Sequence, residues 1–435
     1  AHWVQLAAWM ALLSGLLQLC LGAMRFGWLL NLVTSPVLGG FTQAAALLIL
    51  VSQLPALLGL RVPVEALLAA PQLAQFDWHA AVFGVGSVVA LVLGKRQWPQ
   101  FPAVIVVMGA AAALSWALGF ADRGGAVVGA LPSGLPHFYW PGALPWGTLG
   151  TLILPVLVVT LVSFLETASS AKVDHQSGGT RWDENQDLVA HGMAKISSGL
   201  CGGFATSASF SRSAINLYAG AKSGWATIID TSLVLVVLLW LLPALYHVPQ
   251  AVLAAVVVTA ITGLIKPGMF AGLWRISRVE AAISLATFAI TLATAPRLYW
   301  GVLVGLLANL SHFLYQRLHP RIIEVGLHPD GSLRDRHLWH LPPLAPHLYA
   351  LRMDAELDFA SASSLERAVM EHLALYPGVR QVCLFAQPIN RIDATGVETF
   401  GKLRHALAQS HVTLHLSGMK LPVENVLRRA GELPP

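Results

Sequence analysis

The stretch GGFATSASFSRSAINLYAG, residues 202–220, is out of character with the sequence around it. Its serines Ser207, Ser209, Ser211 and Ser213 and its arginine Arg212 stand in a chain whose residues are 55% hydrophobic and only 11% charged. An average soluble domain carries roughly 25% charged residues. From Ser207 to Gly220 the segment is about 14 residues long, too short and too polar to cross a bilayer core that needs about 20. Gly202 and Gly203 favour a broken or extended backbone, and Ser207 or Ser209 is suited to cap a helix beginning there. A half-helix that starts inside a membrane points free N–H groups and its positive dipole end at the midplane, which makes an anion site. The hydroxyls of Ser209, Ser211 and Ser213 add donors. Arg212 adds a full charge that costs several kcal/mol in hydrocarbon unless it faces a partner or water. A plainer reading stays open: a helix-packing serine cluster with an arginine reaching for the interface.

Outward from this stretch, the chain reads as a polytopic α-helical membrane protein. Mean hydropathy is +0.64 over 435 residues. Apolar runs fall near residues 3–24, 36–59, 76–94, 101–119, 148–171, 186–203, 227–246, 249–264, 279–296 and 299–317. The net charge of +5 is therefore a matter of membrane orientation and not of nucleic-acid binding. Arg25, Lys95 and Arg96, Lys172 and Arg181, Arg275 and Arg278, and Arg317 and Arg321 occur at alternate helix ends. Those ends are cytoplasmic if the polar tail is. The loop at 120–147 then lies outside, and Ala1 traces back to the outer face. An odd number of further helices upstream is the expectation that follows. Cys20, Cys201 and Cys383 form neither a CxxC pair nor a disulfide framework.

Glu166 is the second anomaly. It lies six residues before Lys172, roughly 9 Å of helix, and shares a face with Ser163 and Ser170. A carboxylate in that place is a proton or cation relay by default, or else the structural partner of a basic side chain such as Arg212. Lys195 and Asp230 read as interfacial residues near helix ends. Near residue 320 charges return and the periodicity changes. HLYALRMD and VRQVCLFA read as strands; SASSLERAVMEHLALY, ATGVETFGKLRHALAQ and PVENVLRRA read as amphipathic helices. HPDG at 328–331 reads as a hairpin turn. The division is a membrane domain over 1–320 and a small soluble α/β domain over 321–435. His337, His340 and His347 cluster near the linker without the further ligands a metal site needs. No cofactor, metal or nucleophile–base set is expected, so an enzyme is excluded.

The run FLETASSAKVDHQSGGTRWDENQDLVAHGMAKISSGLCGGFATSASFSRSAINLYAGAKSG resembles the signature region of the SulP family, the sulphate permease-type anion transporters. ENQDLVAHG is similar to its NQEL-type segment, and SFSRSAINLYAGAKS to its SFSRSAVN-AGA segment. LVTSPVLGGFTQAAALLILVSQLPALLGL resembles its fifth helix, and the tail resembles a STAS domain. The resemblance implies a seven-plus-seven inverted repeat with the anion held between two half-helix N-termini. Residues 207–220 match the tenth helix, and Ala1 begins at the fourth. The first three helices are then absent from this chain, and the expectation is that these 435 residues alone bind and move no anion. It further implies that Ser209, Phe210, Ser211, Arg212 and Ser213 bind the anion, and that Glu166, with Ser163 and Ser170, carries a coupling H+ or Na+. In NRIDATGVETF, Asp393 and Thr395 match a loop with a phosphorylatable hydroxyl; plain helix capping by Asp393 is the alternative. The implied function is coupled uptake of sulphate, bicarbonate or a dicarboxylate. A passive channel, an exchanger or a regulatory membrane protein are the rivals. The implied setting is the inner membrane with the tail in the cytoplasm, as a homodimer, with a protein partner for the tail.

Overall fold

The computed structural model describes residues 2–28, 34–60, 76–98, 102–130, 134–178, 182–209, 212–213, 216 and 220–433, without the side chains of residues 2, 165 and 168–178. The chain divides into two compact units, Ala1–Asn309 and Leu310–Pro435.

The first unit is helical. Its elements are α1 (His2–Ala23), α2 (Ser35–Leu57), α3 (Trp78–Gln97), α4 (Ala103–Ala117), α5 (Trp146–Gly178), α6 (Glu184–Leu200), α7 (Trp225–Val236), α8 (Gln250–Thr262), α9 (Gly268–Ile276), α10 (Arg278–Ala293) and α11 (Tyr299–Leu318), the last running across the unit boundary. Local chemistry sets their starts. Pro36 occupies the first turn of α2, where a missing N–H costs nothing. Asp77 accepts from the amides of His79 and Ala80 at the head of α3. Asp183 does the same for Asn185 and Gln186 at the head of α6. After Val236, α7 passes into a π turn, Val237–Leu241, and then a 3-10 turn, Leu242–Leu245. Pro243 has no N–H to continue the α ladder there. The nine-residue α9 was not expected from the sequence; at that length it is too short to register as a span.

Among the described residues, five helical stretches are long and apolar enough to cross a membrane: Trp3–Ala23, Ser35–Leu57, Trp78–Gln97, Trp146–Phe164 and Trp225–Leu245. Much of their apolar surface stays exposed, as at Val82, Val89, Ile153, Ile229, Leu233 and Trp240. Lipid hydrocarbon is the solvent that covers such a surface. The buried interior mixes small and hydroxyl side chains, such as Ala11, Ala44, Ser14 and Thr287, with Val, Leu and Phe. A close seam joins α1 and α6: a Cβ at Gly192 would lie 2.7 Å from Leu19 N and 2.8 Å from Gly15 O. Leu188, Gly192, Lys195 and Gly199 form the buried stripe of α6.

The second unit is a five-stranded sheet in the order β2-β1-β3-β4-β5. Its strands are β1 (Ile322–Leu327), β2 (Leu333–Asp335), β3 (Leu348–Met353), β4 (Gln381–Phe385) and β5 (Thr413–Ser417), with α12 (Ala362–Leu375), α13 (Ala394–Gln409) and α14 (Leu421–Arg429). The β1–β2 hairpin turns at Gly331, whose φ is +83°, and β1 also runs antiparallel to β3. β3, β4 and β5 are parallel. Alternate residues of β3 (Tyr349, Leu351 and Met353) pack against Leu365 and Val369 of α12 and Phe400, Leu403 and Leu407 of α13. This core belongs entirely to the tail.

Candidate functional site

The site is built where α6 ends. Gly202, at φ +71°, follows the cap residue Cys201, and the amide of Gly203 donates to Ser198 O at 2.8 Å while that of Gly202 donates to Gly199 O at 3.1 Å. This pair of bonds is the Schellman closure, in which glycine supplies the left-handed residue that reverses the chain. Ser198 Oγ donates to Phe204 O at 2.8 Å. The backbone from Gly203 to Ser209 is then non-helical, and the amide of Ser213 donates to Ser209 O at 2.9 Å. A helical turn therefore opens just after Ser209, with Arg212 exposed in it. Phe210 and Ser211 lie outside the described residues.

The non-helical segment crosses α5 at Glu166. Ser207 Oγ donates to Glu166 Oε2 at 3.0 Å and lies 3.4 Å from Ser163 O. Among the described residues no ion pair joins Arg212 to Glu166, so the pairing raised from the sequence is corrected: a serine hydroxyl meets the carboxylate. The side chain of Ser170 is outside the described residues. Ser163, one turn before the exposed Glu166, is buried.

Around Ser163, a polar cluster joins α1, α5 and α6. Lys195 is fully buried, donating to Ser163 Oγ at 2.5 Å and Ser14 Oγ at 3.1 Å. Ser14 Oγ is 2.9 Å from Thr160 Oγ1, and Gln18 Nε2 is 3.5 Å from Ser163 Oγ. Nearer the start of α6, Thr167 Oγ1 lies 3.3 Å from His191 Nε2 and donates to Ser163 O at 2.9 Å. His191 Nε2 is 4.0 Å from Asp187 Oδ1. The interfacial reading of Lys195 is thereby overturned. Its distance along the chain from the end of α6 is short, but α1 packs over that end and removes the route to water. A signal was present: Lys195 falls three residues after Gly192 and four before Gly199, on the glycine seam. Asp230 is exposed in α7.

In the second unit, Asp393 caps α13. Its Oδ1 accepts from Gly396 N at 2.8 Å and its Oδ2 from Phe359 N at 3.0 Å. Thr395 is exposed in the first turn. His337 Nε2 lies 3.0 Å from Glu324 Oε2, and His347 Nδ1 donates to Gly378 O at 2.7 Å.

Residues 1–287 match the sequence model of the sulfate permease family, and residues 343–434 that of the STAS domain. The chain is 27% identical to the chloroplastic sulfate transporter 4.1 of Arabidopsis thaliana over 98% of its own length and 65% of that protein. It is 30% identical to a probable sulfate transporter of Mycobacterium tuberculosis, over 98% of its own length and 77% of the relative. The chain thus spans somewhat less than two thirds of the plant relative. The murine solute carrier 26 family member A9 anion transporter, in its inward-facing state, superposes with a TM-score of 0.88 at 20% identity, over 98% of this chain and 72% of that one. The transmembrane domain of a cyanobacterial bicarbonate transporter superposes at 0.59 and 21% identity, over 70% of this chain and 76% of that one.

Proposed function

From the premise that the chain belongs to the sulfate permease family, we propose that it serves secondary active transport of a small oxyanion or carboxylate by alternating access. Sulphate, bicarbonate and dicarboxylates are the class, and H+ or Na+ carried at Glu166 is the coupling ion. The observation that carries this reading is the Ser207–Glu166 hydrogen bond. It ties the carboxylate to the segment that opens the half-helix of Ser209, Arg212 and Ser213. An ion bound at Glu166 changes the charge that Ser207 faces, and so acts on the anion-facing turn a few residues away. Hydroxyls, a helix start and a guanidinium are donors in kind for a carboxylate or sulphate.

Phe210 and Ser211 complete the anion site in this reading, and Ser163 and Ser170 support the ion at Glu166. The protein acts in the inner membrane as a homodimer, its STAS domain in the cytoplasm meeting a protein partner. Phosphorylation of Thr395, beside the cap Asp393, would modulate that contact. The test is uptake of labelled sulphate, bicarbonate and succinate into liposomes holding the full-length protein, with and without imposed pH and Na+ gradients. Concentrative uptake of one of them under one gradient is expected; anion flux indifferent to both gradients would turn the reading to a passive channel.

A further inference from the structure

Lys195 asks for a role of its own. Its ammonium is fully buried, and its partners are the hydroxyls of Ser14 and Ser163; among the described residues no carboxylate pairs with it. A permanent charge in such a place is expensive without a counter-ion. Hydroxyls serve both forms of a lysine. They accept from an ammonium, and after rotating the O–H they donate to the lone pair of an amine. Gln18 adds a buried Oε1 that has no partner, an acceptor free for a hydroxyl proton that changes direction. Lysine, unlike arginine, gives up its proton readily when buried.

The groups around it can be named element by element. α1 brings Ser14 and Gln18, neither titratable. α5 brings Thr160, Ser163 and Thr167, with Glu166 on its exposed side. The segment after α6 brings Ser207. α6 itself carries His191 one turn before Lys195 and Asp187 two turns before, 4.0 Å from each other and both part-exposed. Asp187, His191 and Lys195 thus form a file at i, i+4 and i+8 from the first turn of α6 to its buried stripe.

We propose that Lys195 is a second proton-binding group of the membrane unit, charged in one stage of the transport cycle and neutral in another, exchanging its proton along His191 and Asp187. One N–H bond of the ammonium breaks and the proton passes to the bases on the α6 face and out to water. The electron pair stays on Nζ and accepts the O–H of Ser163. This rests on the transport reading, but it does not need Glu166 to be the coupling group.

The experiment uses anion exchange flux by the full-length protein in liposomes between pH 6 and 10, measured on Glu166→Gln so that the titration of Glu166 is absent. One pH step of at least threefold in flux is expected. Adding Lys195→Met should hold flux at the alkaline level at every pH, and adding Lys195→Arg should hold it at the acid level. Lys195→Gln, which keeps donors for Ser14 and Ser163, replaces Lys195→Met if the latter does not fold. A step that survives Lys195→Met, or no step at all, overturns the proposal. So does a protein that folds with arginine but with neither neutral residue, because the site would then demand a permanent charge. Whether Glu166 couples transport is read separately, from gradient-driven uptake by the single Glu166→Gln variant.

Discussion

Glu166 and Arg212 act at neighbouring points of one segment but through different physics. Among the described residues one hydroxyl, Ser207, holds the carboxylate, at 3.0 Å, which leaves it able to take up an ion. Glu166→Gln should abolish concentrative anion uptake and leave exchange measurable; undiminished gradient-driven uptake in liposomes would sink its coupling role. Arg212 is exposed at the start of the helical turn, and one charge-assisted contact to an anion is worth about 1.5–3 kcal/mol. Arg212→Ala should therefore weaken anion affinity about tenfold or more, and Arg212→Lys should recover only part because the planar fork is lost. Calorimetric titration that finds Arg212→Ala unchanged would assign the residue to structure alone. Both residues were legible in the sequence because each is a charge in an apolar run. Lys195 was seen and misplaced, since its burial comes from α1, a helix about 180 residues away along the chain.

Among the elements, the α1–α6 pair packs backbone to backbone with little room. A Cβ on Gly192 would meet the backbone of Leu19 and Gly15 within 3 Å, and backbone cannot swing aside as a side chain does. Gly192→Ala should lower the stability of the membrane unit by about 1–3 kcal/mol, the usual cost of overpacking. Gly86 on α3 and Gly109 on α4 have nothing within 4 Å of the added carbon. Alanine at either should be neutral or stabilising by up to about 1 kcal/mol, from helix propensity alone. Thermal unfolding in detergent separates the two cases, and equal melting temperatures for all three variants would remove the seam from the argument. Most helix positions could be read from apolar run length and caps. Which helices share the seam could not be read, because glycines recur in many of these runs and only the fold shows which pairs come close.

At the scale of the whole molecule, the second unit has a core of its own and should fold by itself from about residue 310. Burial, and then the charge of Glu324, pushes the Tyr349 hydroxyl up to about 12. A phenol raised above its unfolded value near 10 favours the folded state fully below that value, and this contribution is lost as pH rises from about 10 to 12. The melting temperature of the isolated unit should fall across that window, and Tyr349→Phe should flatten the fall; parallel curves for the two proteins would contradict the assignment. The membrane class, the helical order, the α/β tail and the position of the broken segment were determined by the sequence itself. They follow from hydrophobic run length, from glycine and proline, and from a change of period, all of which are local along the chain. What only the tertiary structure decided is which polar groups meet. Ser207 reaches Glu166 because the glycine turn after α6 sends the chain back across α5. Lys195 is sealed among Ser14, Ser163 and Gln18 because α1 closes over the glycine seam, and no spacing within one helix reveals a contact made by another.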